Sequence, residues 1–361
     1  MTDELRNALE AIADRGTPAG ASATVDRAAK TAARRHRHRH RHRIARAGVL
    51  LAAAAFLAVA GTAVYVKQRI DSIPRVDVSG SLHLGGSDVP SEPMNVLVIG
   101  SDARPGLDGE RADTLVVIRV EPATRRVSML SIPRDLWVDD AKTRINSTLA
   151  DGPAALIDAV TTTLGVPVHH YVEVRFDGFR RLVDAVGGVD IPFPTRARDI
   201  VSGFHAAPGC AHLDGDMALA FVRSRHYETF AGGRWMVDPT SDFGRIARQQ
   251  EFLRRLALEL SDMGVNPVRL NSALDAAADN LTLDRTFSTK DLRRLAGLLK
   301  GTDPAAIQGW TVPTTNAEIG GAAVLRLEAA ALPSVIDGFL GQAPTTAPAL
   351  PAPGAPQAPG C

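Results

Sequence analysis

The chain has 361 residues, enough for one large domain or two average ones. Its 41 basic and 40 acidic side chains leave a formal charge of +1, but seven arginines (Arg34, Arg35, Arg37, Arg39, Arg41, Arg43 and Arg46) sit together and the remainder is mildly acidic. No second basic run follows, which argues against a nucleic-acid-binding body, and the two cysteines, Cys210 and Cys361, lack the spacing of a structural zinc site.

Residues 1–46 are polar and Ala/Arg-rich, and are expected to be a mostly disordered cytoplasmic tail with one short helix near Asp3–Arg15. Within it, Arg35–Arg43 alternates arginine with histidine. The histidines suggest a transition metal, but the arginines repel cations, so a basic anchor on anionic lipid is the favoured reading. Ala47–Val66 is a run of 20 residues without a charge. At about 1.5 Å rise per residue it spans roughly 30 Å, the thickness of a bilayer core. It is too long for the apolar region of a cleaved signal peptide. The arginine cluster before it predicts a cytoplasmic N-terminus and an extracytoplasmic body, so the protein is expected at the cell membrane as a single-pass chain. Residues 67–93, with Pro74, Gly80, Gly85, Gly86, Pro90 and Pro93, read as a linker.

The folded body is expected over 94–341. Asn95–Gly100 is an apolar run that predicts a buried strand. Thr114–Val120 and Arg126–Ile132 predict two more strands, joined by a hairpin turn at Glu121–Arg125. Ala154–Leu164 has helical spacing and stops at Gly165. Val168–Val174 reads as a strand, Phe176–Val186 as a helix ended by Gly187-Gly188, and Val189–Ile191 as the next strand. Asp214 is placed to cap a helix running through Val222, and Ile246–Leu260 is a long amphipathic helix. Val268–Leu281 and Asp291–Leu299 read as helices, the second opened by Ser288 with Asp291 three residues on. A strand at Gly309–Val312 and a strand–helix pair over Ala322–Leu340 close the body. Strands alternating with helices predict an α/β fold with a sheet covered on both faces. Residues 342–361 are a Pro/Ala-rich tail expected to be disordered.

Between Met94 and Gln250 the charged residues fall into five tight groups at element ends. They are Gly100-Ser101-Asp102-Ala103-Arg104, Arg111-Ala112-Asp113-Thr114, Ile132-Pro133-Arg134-Asp135, Val222-Arg223-Ser224-Arg225 and Asp242-Phe243-Gly244-Arg245. Arginine offers a rigid fork of donors to phosphate oxygens, and carboxylates hold Mg²⁺. Asp102 follows a strand, and an antiparallel neighbour brings Asp113 to the same edge. Arg223 and Arg225 face one side if the segment is extended. Arg245 and Gln249 share a helix face, while Arg248 reads equally well as a surface residue. His169, His170, His205, His212 and His226 show no metal spacing. No Ser/His/Asp set or P-loop stands out, which disfavours a covalent hydrolase or an ATPase.

In this order, behind one N-terminal span, the five groups resemble the LytR–CpsA–Psr family of envelope proteins. Arg144-Ile145-Asn146, Val186-Gly187-Gly188-Val189 and Leu213–Leu219 add to the match. The resemblance implies a mixed sheet sandwiched between helices, with an apolar pocket for lipid. It implies a phosphotransferase that moves a glycopolymer, such as teichoic acid or arabinogalactan, from a polyprenyl-pyrophosphate carrier to peptidoglycan through a phosphodiester, the acceptor being the C6 hydroxyl of a muramoyl sugar. Asp102 and Asp113 match the ligands of Mg²⁺ (or Mn²⁺). Arg111, Arg134, Arg223, Arg225 and Arg245 match the pyrophosphate-binding arginines, Gln249 a polar site residue and Asp242 an acidic one. Arg134, Asp242 and Arg245 are the expected catalytic set. Sixteen residues separate Arg225 from Asp242, leaving Asp238 and Asp242 as candidates for the acidic position. The phrase Asp242-Phe243-Gly244-Arg245 favours Asp242. The general base stays open between Asp113 and Asp242.

Two rivals use the same residues. A metal-dependent pyrophosphatase would pass the donor to water, and a membrane-tethered wall-binding or regulatory protein would tolerate loss of Asp102 and Asp113. The expected partners are the lipid-linked glycopolymer, peptidoglycan and membrane lipid, without nucleic acid. A prenyl channel is expected among helices Ala154–Leu164, Phe176–Val186 and Ile246–Leu260. Outside the cytoplasm Cys210 and Cys361 are expected to pair.

Overall fold

A computed structural model of the protein describes residues 67–84, 92–101, 112–262, 275, 280–299, 303 and 306–342. The chain divides into two compact units, 1–65 and 66–361, and all described residues belong to the second. The expected basic tail, membrane span and C-terminal tail from 343 lie outside the described residues, as do Asp102, Arg111 and Cys361. Among the described residues no helix is long and apolar enough to cross a membrane.

Strands Arg75–Val76 (β1), Met94–Ser101 (β2), Ala112–Glu121 (β3) and Arg126–Ser131 (β4) come first. β2, β3 and β4 form an antiparallel ladder. The turn between β3 and β4 holds Arg125 at a φ of 54°. Trp137–Val138 (β5), Thr143–Arg144 (β6) and a 3-10 stretch at Ile145–Asp151 lead into helix Pro153–Leu164 (α1). Proline at the start and a left-handed Gly165 at the end bound this helix as proline and glycine do elsewhere. The crossover sets His170–Arg175 (β7) parallel to β2. Helix Phe176–Val186 (α2) follows, as expected, and stops at Gly187.

Val189–Phe193 (β8), Ala197–Asp199 (β9), Phe204–Ala206 (β10) and Gly209–Leu213 (β11) precede helix Gly215–Arg223 (α3). The Asp214 carboxylate accepts a bond from the Met217 N–H and caps α3. Glu228–Ala231 (β12) and Arg234–Val237 (β13) come before helix Asp242–Asp262 (α4). The chain closes with Leu281–Asp284 (β14), helix Thr289–Leu299 (α5), Gln308–Thr311 (β15), Thr314–Ile319 (β16), Ala322–Leu327 (β17) and helix Leu332–Leu340 (α6). Ser288 and Asp291 exchange bonds at the start of α5, the capping box that their spacing predicts.

A seven-stranded sheet runs β1-β14-β7-β2-β3-β4-β15. It is mixed: β1/β14, β2/β7 and β4/β15 are parallel, and the other pairs antiparallel. Alternate residues of each strand bury opposite faces. Leu97, Ile99, Leu115, Val117 and Leu130 pack with α1 and α6. On the other face Val116, Ile118, Val127 and Met129 meet Leu253 and Ala257 of α4, while Val96, Val98 and Val172 meet Leu295 of α5. The expected helix–sheet–helix sandwich is therefore present.

Four expectations need correction. The stretch 67–93 is not wholly a linker. β1 joins the sheet, and Ile73, Val78 and Leu82 are buried in the core, so the body starts well before residue 94. Leu281, expected to end a helix, starts strand β14, where pairing with β7 overrides helical spacing. Strands β9, β10, β12 and β13 form a separate sheet, ordered β10-β9-β12-β13, that sequence reading did not predict. Its β12–β13 hairpin turns at Gly232 and Gly233, with φ of 57° and 80°. Strand β16, also unpredicted, pairs with β17 along its whole length.

Candidate active site

The chain brings the charged groups to one edge of the large sheet. Arg134 and Asp135 follow β4 across Ile132-Pro133, and Asp113 sits at the start of β3. Ser101, the chain neighbour of Asp102, pairs with Ala112, the neighbour of Asp113. Arg223 ends α3, Ser224 follows in an extended conformation, and Arg225 comes next. The side chain of Ser224 is buried while Arg223 and Arg225 are exposed, so the two arginines leave the chain on the side away from Ser224, as expected for an extended segment. Asp242 opens α4.

Asp242 is the centre of the cluster. Its Oδ1 accepts from Arg225 Nε at 2.6 Å, and its Oδ2 accepts from Arg245 Nη2 at 3.0 Å. The same Oδ2 lies 3.8 Å from Arg134 Nε. Arg134 also donates to Asp113 and lies 3.6 Å from Asp135. One carboxylate thus gathers three arginines, and a second and third steady Arg134. Asp238, the other candidate, stands apart and pairs with Arg248 at 3.0 Å. Asp242, not Asp238, therefore lies among the clustered arginines.

The electrostatics favour an added anion. Burial pushes the Arg245 guanidinium down to about 10; Asp242 opposes this, and Arg134 and Arg225 push the same way. For Arg134 burial also acts downward, but Asp113, Asp135 and Asp242 outweigh it and raise the guanidinium above its usual value. Both remain charged at neutral pH. The Nε atoms of Arg134 and Arg245 are buried without a hydrogen bond. A diphosphate among these side chains would relieve arginine–arginine repulsion. Arg223 has no carboxylate partner among the described residues, and its guanidinium lies 4.7 Å from the Phe176 ring centroid.

Gln249 behaves differently from the pyrophosphate-binding role implied for it. Its side-chain N–H group donates to Thr114 Oγ1 at 2.9 Å and to the Val222 carbonyl at 3.1 Å. It ties β3 and α3 to α4 beneath the site. Sequence reading also missed a supporting layer. Buried Arg248 donates to the Ser224 carbonyl at 2.7 Å, between the two exposed arginines. Ser224 Oγ donates to Asp199 Oδ2 at 2.7 Å, and the same oxygen accepts from the His226 N–H at 2.7 Å. Burial works against the Asp199 carboxylate, but its bonds from Ser224, Ser202, His226 and Val201 outweigh burial and hold it below the usual carboxylate range. The Arg-x-x-Arg spacing of Arg245 and Arg248 was a usable signal. Nothing near Asp199 in the sequence pointed to Arg223 and Arg225.

Two further observations concern expected sites. Asp113 is the only expected metal ligand among the described residues, and no group of three or more His, Cys, Asp or Glu side chains suited to a metal occurs among them. Arg134 engages Asp113 Oδ1, and no bond to Oδ2 is found among the described residues. The described residues therefore supply one carboxylate of the expected pair, Asp113. Cys210 takes part in a disulfide, while Cys361 lies outside the described residues.

A groove of about 990 Å³ opens beside Arg225 and Asp242. Its walls are the first turns of α4, strand β15, the β16–β17 hairpin and α6. Of the three helices expected to line a channel only α4 contributes. α1 buries Leu156, Ile157, Val160 and Leu164 in the core, and α2 buries Val183 and Val186 in a cluster with α3.

A mixed sheet between helices, bearing a cluster of arginines around one carboxylate at a strand edge, defines an α/β protein built to hold a multiply charged anion. A family model of the LytR_cpsA_psr family matches residues 54–337. A Bacillus anthracis protein named polyisoprenyl-teichoic acid–peptidoglycan teichoic acid transferase TagU is 34% identical over 228 residues, 61% of this chain and 70% of the relative. The LytR-Csp2A-Psr enzyme from Actinomyces oris superposes with a TM-score of 0.58 at 25% identity, covering 73% of this chain and 94% of that one. Bacillus subtilis TagV gives 0.56 at 26% identity, covering 70% and 99%. The chain belongs to the LytR–CpsA–Psr family.

Proposed function

We propose that this protein is a phosphotransferase that moves a glycopolymer from a polyprenyl-pyrophosphate carrier to peptidoglycan, forming a phosphodiester. The observation that carries the reading is the gathering of Arg134, Arg225 and Arg245 on the partly exposed Asp242. Family membership and the name of the TagU relative give the acceptor and donor classes.

In this reading Arg134, Arg223, Arg225 and Arg245 hold the diphosphate, with Arg111 as a further donor. An acceptor sugar hydroxyl attacks the glycan-side phosphorus. Its oxygen forms the new bond to phosphorus, the bond to the bridging oxygen breaks, and prenyl monophosphate leaves with that oxygen. Such transfer needs positioning and charge stabilisation more than covalent chemistry. Asp242 orients the arginine forks, since both of its oxygens are engaged by them. Asp102 and Asp113 would hold Mg²⁺ or Mn²⁺, which when bound neutralises charge on the phosphate oxygens. The proton of the hydroxyl goes to a nearby carboxylate, for which Asp113 and Asp242 are the candidates. The span at 47–66 anchors the protein in the cell membrane with the body outside.

The test is in vitro transfer with lipid-linked donor, nascent peptidoglycan and added Mg²⁺. Polymer-linked peptidoglycan is the expected product. Free polymer phosphate alone would instead indicate hydrolysis. Asp113→Asn should abolish both transfer and its metal response, and an unchanged metal titration would remove the metal assignment.

A further inference from the structure

We infer that the groove beside Arg225 is the acceptor site and that it takes the neutral glycan strand rather than the prenyl chain of the donor. The inference rests on the phosphotransferase reading above and adds where the second substrate lies.

Three observations carry it. The first is continuity. Asp135, Arg225 and Asp242 line the groove and also belong to the arginine cluster. A hydroxyl bound there abuts the diphosphate site without crossing protein. The second is the chemistry of the walls. Apolar surface from Phe243, Pro313 and Leu325 is interleaved with Thr240, Asn316 and Glu328. Sugar rings present apolar faces and hydroxyl edges and need both kinds of wall. A prenyl chain offers no hydrogen bonds, so filling the groove with it would strip polar groups of water uncompensated, at about 1–3 kcal/mol for each group left unpaired. The third is the supply of acceptors. Asp135, Asp242 and Glu328 line the groove, and Asp135 and Asp242 are already paired with arginines of the cluster. Glu328 has no ion pair among the described residues, and an ionised carboxylate accepts from hydroxyl and amide donors. The volume, about 990 Å³, is at the upper end of the roughly 300–1,000 Å³ typical of small-ligand sites. A cleft of this size suits a short segment of a longer chain.

The experiment uses the full chain in lipid nanodiscs and measures two affinities separately. One is for soluble, uncrosslinked peptidoglycan glycan oligomers, read by saturation-transfer NMR without donor. The other is for the lipid-linked donor without acceptor. The variants are Ala323→Trp, which fills the groove from an exposed wall position, and Glu328→Arg, which reverses a charge at its rim. Each should weaken glycan binding at least about tenfold and keep the donor affinity within about twofold. Loss of donor affinity with glycan binding intact would overturn the inference in favour of a lipid chain. So would glycan binding that neither variant changes, or no glycan binding by the wild type. If the wild type binds glycan in the groove but transfers nothing to it, the groove assignment stands and the phosphotransferase reading fails.

Discussion

Two acids at opposite ends of the strands of the large sheet, Asp284 of β14 and Asp242 of α4, are held differently. At the end away from the arginine cluster, Asp284 is fully buried. Its Oδ2 accepts from the Tyr171 N–H at 3.0 Å and faces His170 Nδ1 at 3.1 Å, and its Oδ1 accepts from the Thr286 N–H at 2.8 Å. Burial raises this carboxylate, but the bonds from His170, Thr286 and Tyr171 outweigh it and hold it below its ordinary range. At the other end Asp242 stays 18% exposed and its partners are guanidinium forks. Backbone N–H groups and short side chains are fixed and hold Asp284 in the fold. The guanidinium groups around Asp242 meet at a partly exposed edge, where an anion can reach them.

The largest effect expected from this contrast is on stability. Asp284→Ala removes the partner of four groups, His170 Nδ1, the Tyr171 and Thr286 N–H groups and Thr286 Oγ1, and should cost several kcal/mol, at about 1–3 kcal/mol for each buried group left unpaired. Urea unfolding would measure it. Donor affinity of the protein that remains folded should be unchanged. A loss below about 1 kcal/mol would end the idea that this end of the sheet is the structural one.

Arg134→Ala should behave in the opposite way. Removing one donor from a preorganised site lowers turnover by roughly 10²–10³-fold, while stability should shift by only about 1 kcal/mol, as for partly exposed pairs. Arg134→Lys should not restore activity, because an ammonium cannot reproduce the fork. A single-turnover transfer assay beside a thermal melt separates the two outcomes. Activity within a few-fold of wild type would take Arg134 out of the site.

How much of this was readable in the sequence follows from the range of the forces involved. Helix ends at Gly165 and Gly187, the Asp214 cap and the Ser288–Asp291 box are local, and local chemistry names them. The five charged groups could be read because Asp113, Arg134, Arg225 and Asp242 flank strands or helices whose apolar patterns are plain. Long-range pairing was opaque. Nothing in Leu281–Asp284 announces that β7 and β1 will recruit it into the sheet, and the linker composition around Arg75 hides a strand that pairs with it. The role of Asp199 was equally hidden, since its partners Ser224 and His226 lie 25 and 27 residues away.

Ser224→Ala tests that hidden layer and should fall between the first two variants in character. It removes one bond to the buried Asp199 carboxylate, worth about 1.5–3 kcal/mol for a charged partner. It also frees the turn that carries Arg223 and Arg225. The expected result is a measurable fall in urea midpoint together with a raised KM for donor and little change in kcat. A fall in stability with KM unmoved would make the layer purely structural.

The smallest effect concerns His169, beside the structural end of the sheet. Burial pushes its imidazole down to about 4, with further downward contributions from His170, Arg119 and His83. Its Nδ1 accepts from the Asn95 N–H at 2.9 Å, a bond that a proton on Nδ1 would break. The folded value lies below the unfolded value of about 6.5. The unfolded chain therefore binds the extra proton between those two pH values, and the native state does not. Stability from neutral His169 is complete above about pH 6.5 and declines as the pH falls toward 4. In His169→Gln this part of the decline should disappear, leaving the acid loss from Asp199 and Asp284, whose lowered values act below the ordinary carboxylate range. Urea midpoints taken from pH 7 to pH 4 for both proteins give the comparison. Parallel curves would mean that His169 titrates alike in the folded and unfolded chains, and that its burial at this end of the sheet carries no proton linkage.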